Sequence, residues 1–158
     1  MQTLLPLAAQ LAERLKSRGE TLAVGESSAG GLIAAALIAQ PGASAYFRGG
    51  AVIYTRQARE GLLGISAADM QGMRSASEAY ALLAARRLVL RLGATWGLME
   101  TGASGPSGNS YGDAAGHSCF AVAGPLEITR TLETGSADRV ENMRVFAATA
   151  LRLMLETL

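Results

Sequence analysis

Leu4, Leu7, Ala8, Leu11 and Leu15 lie three or four residues apart, the repeat of one helix face, and Gly19 follows where such a helix stops. Thr21–Gly25 then forms a short apolar run of strand length. After the turn Glu26-Ser27-Ser28 the pattern predicts a helix from Ala29 through Ile38, closed by Pro41-Gly42. A second strand is predicted over Ala51–Thr55, entered through Gly49-Gly50, and two short helices over 57–63 and 67–71. Ser75-x-x-Glu78 has the form of a capping box opening a helix to Leu92, with Gly93 as its stop.

Trp96–Glu100 reads as a third strand that runs into the turn-rich stretch Thr101–Asn109. Ser118–Ala123 and Glu127–Glu133 read as two strands of a hairpin across Gly124-Pro125. The last helix, Ala137–Glu156, carries Val140, Met143, Ala147, Ala150, Leu151 and Met154 on one side. No repeat or linker interrupts this order, so residues 1–158 are expected to form one domain. Helices and strands alternate early and a hairpin comes late. That order predicts an α/β fold, a three-layer α/β/α sandwich with a mixed β-sheet.

Composition narrows the function classes. Hydrophobic residues make up 49% and charged residues 17%, the balance of a chain with a real core. The formal net charge is +1, which leaves no electrostatic footprint for a general nucleic-acid binder. No apolar run reaches membrane-spanning length. The first residues lack the basic start and apolar stretch of a signal peptide, so the expected location is cytoplasmic. One His (His117) and one Cys (Cys119) exclude a Cys/His zinc site and an internal disulfide. Neither a metal nor a cofactor is expected. Thirteen arginines accompany one lysine, Lys16, so a lysine base would have to be Lys16 and a histidine base His117.

Three segments carry candidate chemistry. In Gly25-Glu26-Ser27-Ser28-Ala29-Gly30-Gly31, a serine at a strand-to-helix turn lies beside main-chain N–H groups that favour an oxyanion or phosphate. The same serines can instead simply cap the helix, with the glycines allowing close packing. Ala29 stands where a nucleophile elbow has glycine. Thr101–Asn109, a Gly-rich loop after a strand, suits amides wrapped around an anion, and it lacks the Gly-Lys-Ser/Thr of an ATPase P-loop. Tyr54-Thr55-Arg56-Gln57-Ala58-Arg59 offers a hydroxyl and two arginines that either grip a phosphate or form a solvated face.

Taken in order, Glu26-Ser27-Ser28-Ala29-Gly30-Gly31, Phe47-Arg48-Gly49-Gly50, Tyr54–Arg59, Ser77-Glu78, Thr101–Pro106 and Asp138-Arg139 resemble the CinA C-terminal domain family (competence/damage-inducible protein CinA) over nearly the whole chain. Active members of that family are nicotinamide mononucleotide (NMN) deamidases. The form expected here is stand-alone, without the molybdopterin-binding-like domain of full-length CinA. The resemblance implies Ser27 as nucleophile and Tyr54, Arg59 and Thr101 as further catalytic positions. It implies Gly30, Gly31, Gly102, Gly105, Arg139 and Arg144 as substrate-binding positions. The implied partner is a small-molecule pyridine nucleotide, and the implied assembly a homo-oligomer, with a dimer favoured. Arg59 stands where the family keeps its general-base lysine, and a guanidinium stays charged throughout the usable pH range. Two readings follow: a serine amidohydrolase with an altered base, or a silent member that binds a nucleotide phosphate or a partner protein.

Overall fold

The computed structural model describes residues 1–158. Helix α1, Leu5–Arg18, opens with Pro6 in its first turn and ends at Gly19, whose φ of 65° is the left-handed value a helix stop requires. Strand β1, Leu22–Glu26, is buried along its whole length and leads to helix α2, Leu32–Ile38. Strand β2 is Phe47–Val52, followed by one helical turn, α3, Arg56–Ala58, which runs into a π-helical turn over Arg59–Leu63. Helix α4 is Glu78–Leu92, strand β3 Trp96–Ala103, strand β4 His117–Ala123, strand β5 Ile128–Glu133 and helix α5 Arg139–Thr157.

The five strands form one sheet in the order β2-β1-β3-β4-β5. β1 is parallel to both neighbours, while β3–β4 and β4–β5 are antiparallel. Alternation along the strands divides the interior into two layers. Leu22, Val24, Trp96, Leu98, Phe120 and Val122 face α1, α2 and α5. Ala23, Met99, Cys119, Ala121 and Ala123 face α4, together with Ile53, Leu63 and Ile65. The result is the three-layer α/β/α sandwich with a mixed sheet that the sequence predicts.

Several boundaries differ from the sequence expectation. α2 starts at Leu32 rather than Ala29, and β2 ends at Val52 rather than Thr55. Four further differences each have a local reason. β2 starts at Phe47 because Gly49 and Gly50 belong to the edge strand rather than to a turn; a Cβ on Gly50 would meet Ala34 Cβ of α2 at 3.1 Å. Residues 67–71 form successive turns, not a helix. Ser66 and Asp69 cap each other, and Gly72, at φ 73°, turns the chain away one turn later. The cap of α4 is Ser77, whose hydroxyl accepts the Tyr80 N–H at 3.2 Å, rather than Ser75. β3 continues to Ala103 and so takes in the first three residues of the Gly-rich segment.

Candidate functional site

The carboxyl ends of β1 and β3 meet where the chain leaves β1 for α2 and β2 on one side while β3 pairs on the other, the position at which open α/β sheets bind ligands. A cleft opens there. Its larger lobe, 620 Å³, is lined by Ser27, Ile53, Tyr54, Thr55, Arg56, Arg59, Ala67, Met70, Ser75, Ala76, Tyr80, Thr101, Gly102, Asn109 and Tyr111. A second lobe of 270 Å³ is lined by Ser28, Tyr54, the Gly102–Gly105 segment, Ser107, Gly108, Asn109 and Arg139. Tyr54, Gly102 and Asn109 border both.

The Ser27 turn is held by two buried carboxylates. Glu26 turns back into α2 and accepts the N–H groups of Gly31, Ile33 and Ala34 at 2.9, 3.0 and 2.8 Å. Glu100, wholly buried at the centre of β3, accepts the N–H groups of Ser27 at 3.0 Å and Ala29 at 2.8 Å, and the hydroxyls of Ser28 at 2.5 Å and Ser118 at 2.9 Å. Burial raises both carboxyls above their ordinary pKa, and the hydrogen bonds oppose it. This narrows the expectation of free amides awaiting an anion at the helix start, since the protein's own carboxylates already take the N–H groups of Ser27, Ala29, Gly31, Ile33 and Ala34. Gly30 and Gly31, at φ 68° and 98°, shape this turn and line neither lobe. Ser27 contributes only main-chain groups to the turn, so its hydroxyl is uncommitted at the cleft wall.

Opposite Ser27, Thr55 caps the turn that carries Arg59, accepting the Ala58 N–H at 3.1 Å. Arg139, at the start of α5, donates to the Tyr54 hydroxyl at 2.9 Å and to the Gly105 carbonyl, and so bridges the end of β2 to the Gly-rich segment. Asn142, one turn further along, donates to the carbonyls of Ser104 at 2.9 Å and Ser136 at 2.8 Å. Thr101, buried, accepts the Ala76 N–H at 3.3 Å. Arg144 points elsewhere: it pairs with Glu141 at 3.4 Å and borders a separate hollow beside Met1–Thr3. Glu100 and Asn142 are the organising residues that sequence reasoning misses. The signal for Glu100 was a carboxylate closing an otherwise apolar strand.

Comparison with known proteins now decides the family. The sequence model of the CinA C-terminal domain matches residues 4–158. The chain belongs to the CinA C-terminal domain family. CinA-like proteins from Gloeobacter violaceus and a Nostoc species are 42% and 39% identical to it over 127 and 119 residues, 80% and 75% of this chain. Those stretches are 30% and 28% of the relatives, so the chain spans about a third of the length of the curated relatives it matches. Among solved structures, a CinA superfamily protein from Escherichia coli superposes with a TM-score of 0.92 at 27% identity, over 98% of this chain and 90% of that one. A competence/damage-inducible protein from Agrobacterium tumefaciens gives 0.90 at 27% identity, over 97% and 94%.

In this CinA domain His117 and Lys16 line neither lobe of the cleft that holds Ser27. His117 is buried behind Ala76. Its Nε2 faces the Ala76 carbonyl at 2.9 Å, which can only accept, and its Nδ1 faces the Glu133 carboxylate. Both nitrogens therefore donate, the state of a protonated ring. Burial alone lowers the His117 pKa, but its bonds to Glu133 and Ala76 outweigh it and hold the group above its ordinary value. Lys16 pairs with Glu13 at 2.6 Å on α1. Arg59 is 9% exposed, and its Nε is buried with no hydrogen-bond partner. Its guanidinium carbon lies 6.0 Å from the centre of the Tyr80 ring, whose hydroxyl burial pushes up to about 12. No group of three or more His, Cys, Asp or Glu side chains converges to hold a metal ion.

Proposed function

We propose that the cleft takes an NMN-like pyridine nucleotide and that Ser27 attacks its carboxamide, releasing ammonia and leaving the acid. The observation that carries this reading is the uncommitted Ser27 hydroxyl in the same cleft as Thr101, Tyr54 and the cation Arg59, with Arg139 at the adjoining lobe. In the attack, Ser27 Oγ bonds to the carbonyl carbon and the carbonyl oxygen takes the negative charge. The Arg59 guanidinium suits that oxyanion, and Arg139 with the Gly102–Gly108 backbone suits the nucleotide phosphate. The C–N bond breaks as the proton given up by the Ser27 hydroxyl passes to the leaving nitrogen, so ammonia departs, and water then hydrolyses the acyl-serine to the acid and restores the hydroxyl.

A second reading has its own support. Glu100, the one acid bonded to Ser27, takes its main-chain N–H and not its hydroxyl, and Arg59 cannot replace a lysine base. On that reading the domain binds the nucleotide without turning it over.

Ammonia release from NMN by the purified protein separates the two. If the domain is an amidohydrolase, wild type turns over and Ser27→Ala loses about 10³-fold or more. If it only binds, wild type is silent, and Arg59→Lys, by restoring a base, raises turnover by about 10²-fold or more. Full activity in Ser27→Ala removes the serine from the mechanism.

A further inference from the structure

Arg59 is the one arginine of the chain that is buried, and its Nε meets no acceptor. No carboxylate stands within ion-pair distance of it, and the nearest acid in sequence, Glu60, is engaged by Arg56 at 3.1 Å. A buried charge without a partner is unfavourable, and the natural remedy is an anion brought by a ligand. Arg59 lines the larger lobe beside Tyr80, its guanidinium carbon 6.0 Å from the ring centre, and Ile53, Met70 and Tyr111 line the same lobe, so a ligand there meets the cation together with aromatic and apolar side chains. A planar fork of donors among tyrosine and apolar side chains matches a carboxylate carried on an aromatic ring, which accepts two parallel N–H bonds where a carboxamide accepts only through its oxygen. Arg139 lines the other lobe, so each lobe of the cleft has a cation in its wall.

We propose that Arg59 forms a carboxylate subsite, so that this chain binds the ring-carboxylate form of a pyridine nucleotide in preference to its carboxamide. The proposal rests on the reading of the cleft as a pyridine-nucleotide site. Replacing a lysine that can lose its proton by a guanidinium that cannot turns a proton acceptor into a permanent carboxylate receptor, and the acid is then held after it forms.

Calorimetric titration of nicotinate mononucleotide and NMN tests this, in wild type and in Ser27→Ala, where the amide is not consumed. The acid form should bind roughly tenfold or more tightly than the amide, the gain from a bidentate charge-assisted pair over a neutral one. Arg59→Met should abolish the preference. Arg59→Lys, which keeps a charge without the planar fork, should retain only part of it. Equal affinities in wild type, or a preference that survives Arg59→Met, overturns the subsite and leaves the nucleotide reading standing. If neither nucleotide binds, that reading fails and the subsite with it.

Discussion

Glu26 and Glu100 are the two carboxylates the interior retains, and both face main-chain N–H groups or hydroxyls rather than a cation. Each buried donor deprived of its acceptor is costly, about 1–3 kcal/mol. Glu100→Leu removes one acceptor from two amides and two hydroxyls and leaves the Ala29 N–H and the Ser28 hydroxyl with none, so it should lower unfolding free energy by about 2 kcal/mol or more in urea titrations. Glu100→Gln should fall between, because one oxygen remains to accept. A loss within about 0.5 kcal/mol for the leucine variant would show that the turn does not depend on this carboxylate. Arg144 illustrates the opposite lesson at the same scale. Five residues beyond Arg139 at about 100° per residue, it lies about 140° around the helix, so the two arginines cannot serve one cleft.

Helix α4 crosses the sheet so closely that β3 must omit a side chain beneath it. A Cβ on Gly97 would stand 2.2 Å from the Ala85 carbonyl oxygen, and main chain cannot yield as a flexible side chain does. Gly97→Ala should therefore cost about 1–3 kcal/mol, measured as a shift of the urea midpoint with an unchanged slope. α4 is anchored at its other end by Glu78, which accepts the hydroxyls of Thr129 at 2.6 Å and Thr131 at 2.7 Å from β5. The elements most legible in the sequence were those with a strong face and a glycine stop: α1, α4 and the β4–β5 hairpin. β2 was misplaced because Gly49-Gly50 carries the same letters as a turn, and only the approach of α2 explains glycine in an edge strand.

At the scale of the molecule, His117 ties together segments far apart in the chain: β4, Glu133 of β5 and Ala76 at the cleft wall. Asp113, 3.7 Å from its Nε2, and Arg74, which pairs with Asp113, complete the cluster. Cys119 lies beside the ring, and burial keeps its thiol protonated above its ordinary range. The folded-state pKa of His117 is raised above the unfolded 6.5, so its stabilisation is complete below that value and is lost as pH climbs through the folded-state pKa. Urea midpoints from about pH 6 to 9 should fall in wild type and flatten in His117→Gln; parallel profiles would exclude the ring as the source. This network escaped sequence reasoning, as did the role of Glu100, because each joins residues many tens of positions apart. Ser27, Tyr54, Arg59, Thr101, Gly102, Gly105 and Arg139 were legible through their ordered motifs, and the fold gathers all seven around the two lobes.

The two carboxylates that fasten the Ser27 turn come from β1 and β3, not from residues 27–29, where the proposed nucleophile stands. Shape and chemistry are therefore encoded in different places. Residues 27 and 59 can change while the turn keeps its path, so a lineage built on this scaffold is free to exchange a hydrolase for a receptor without first inventing a new fold.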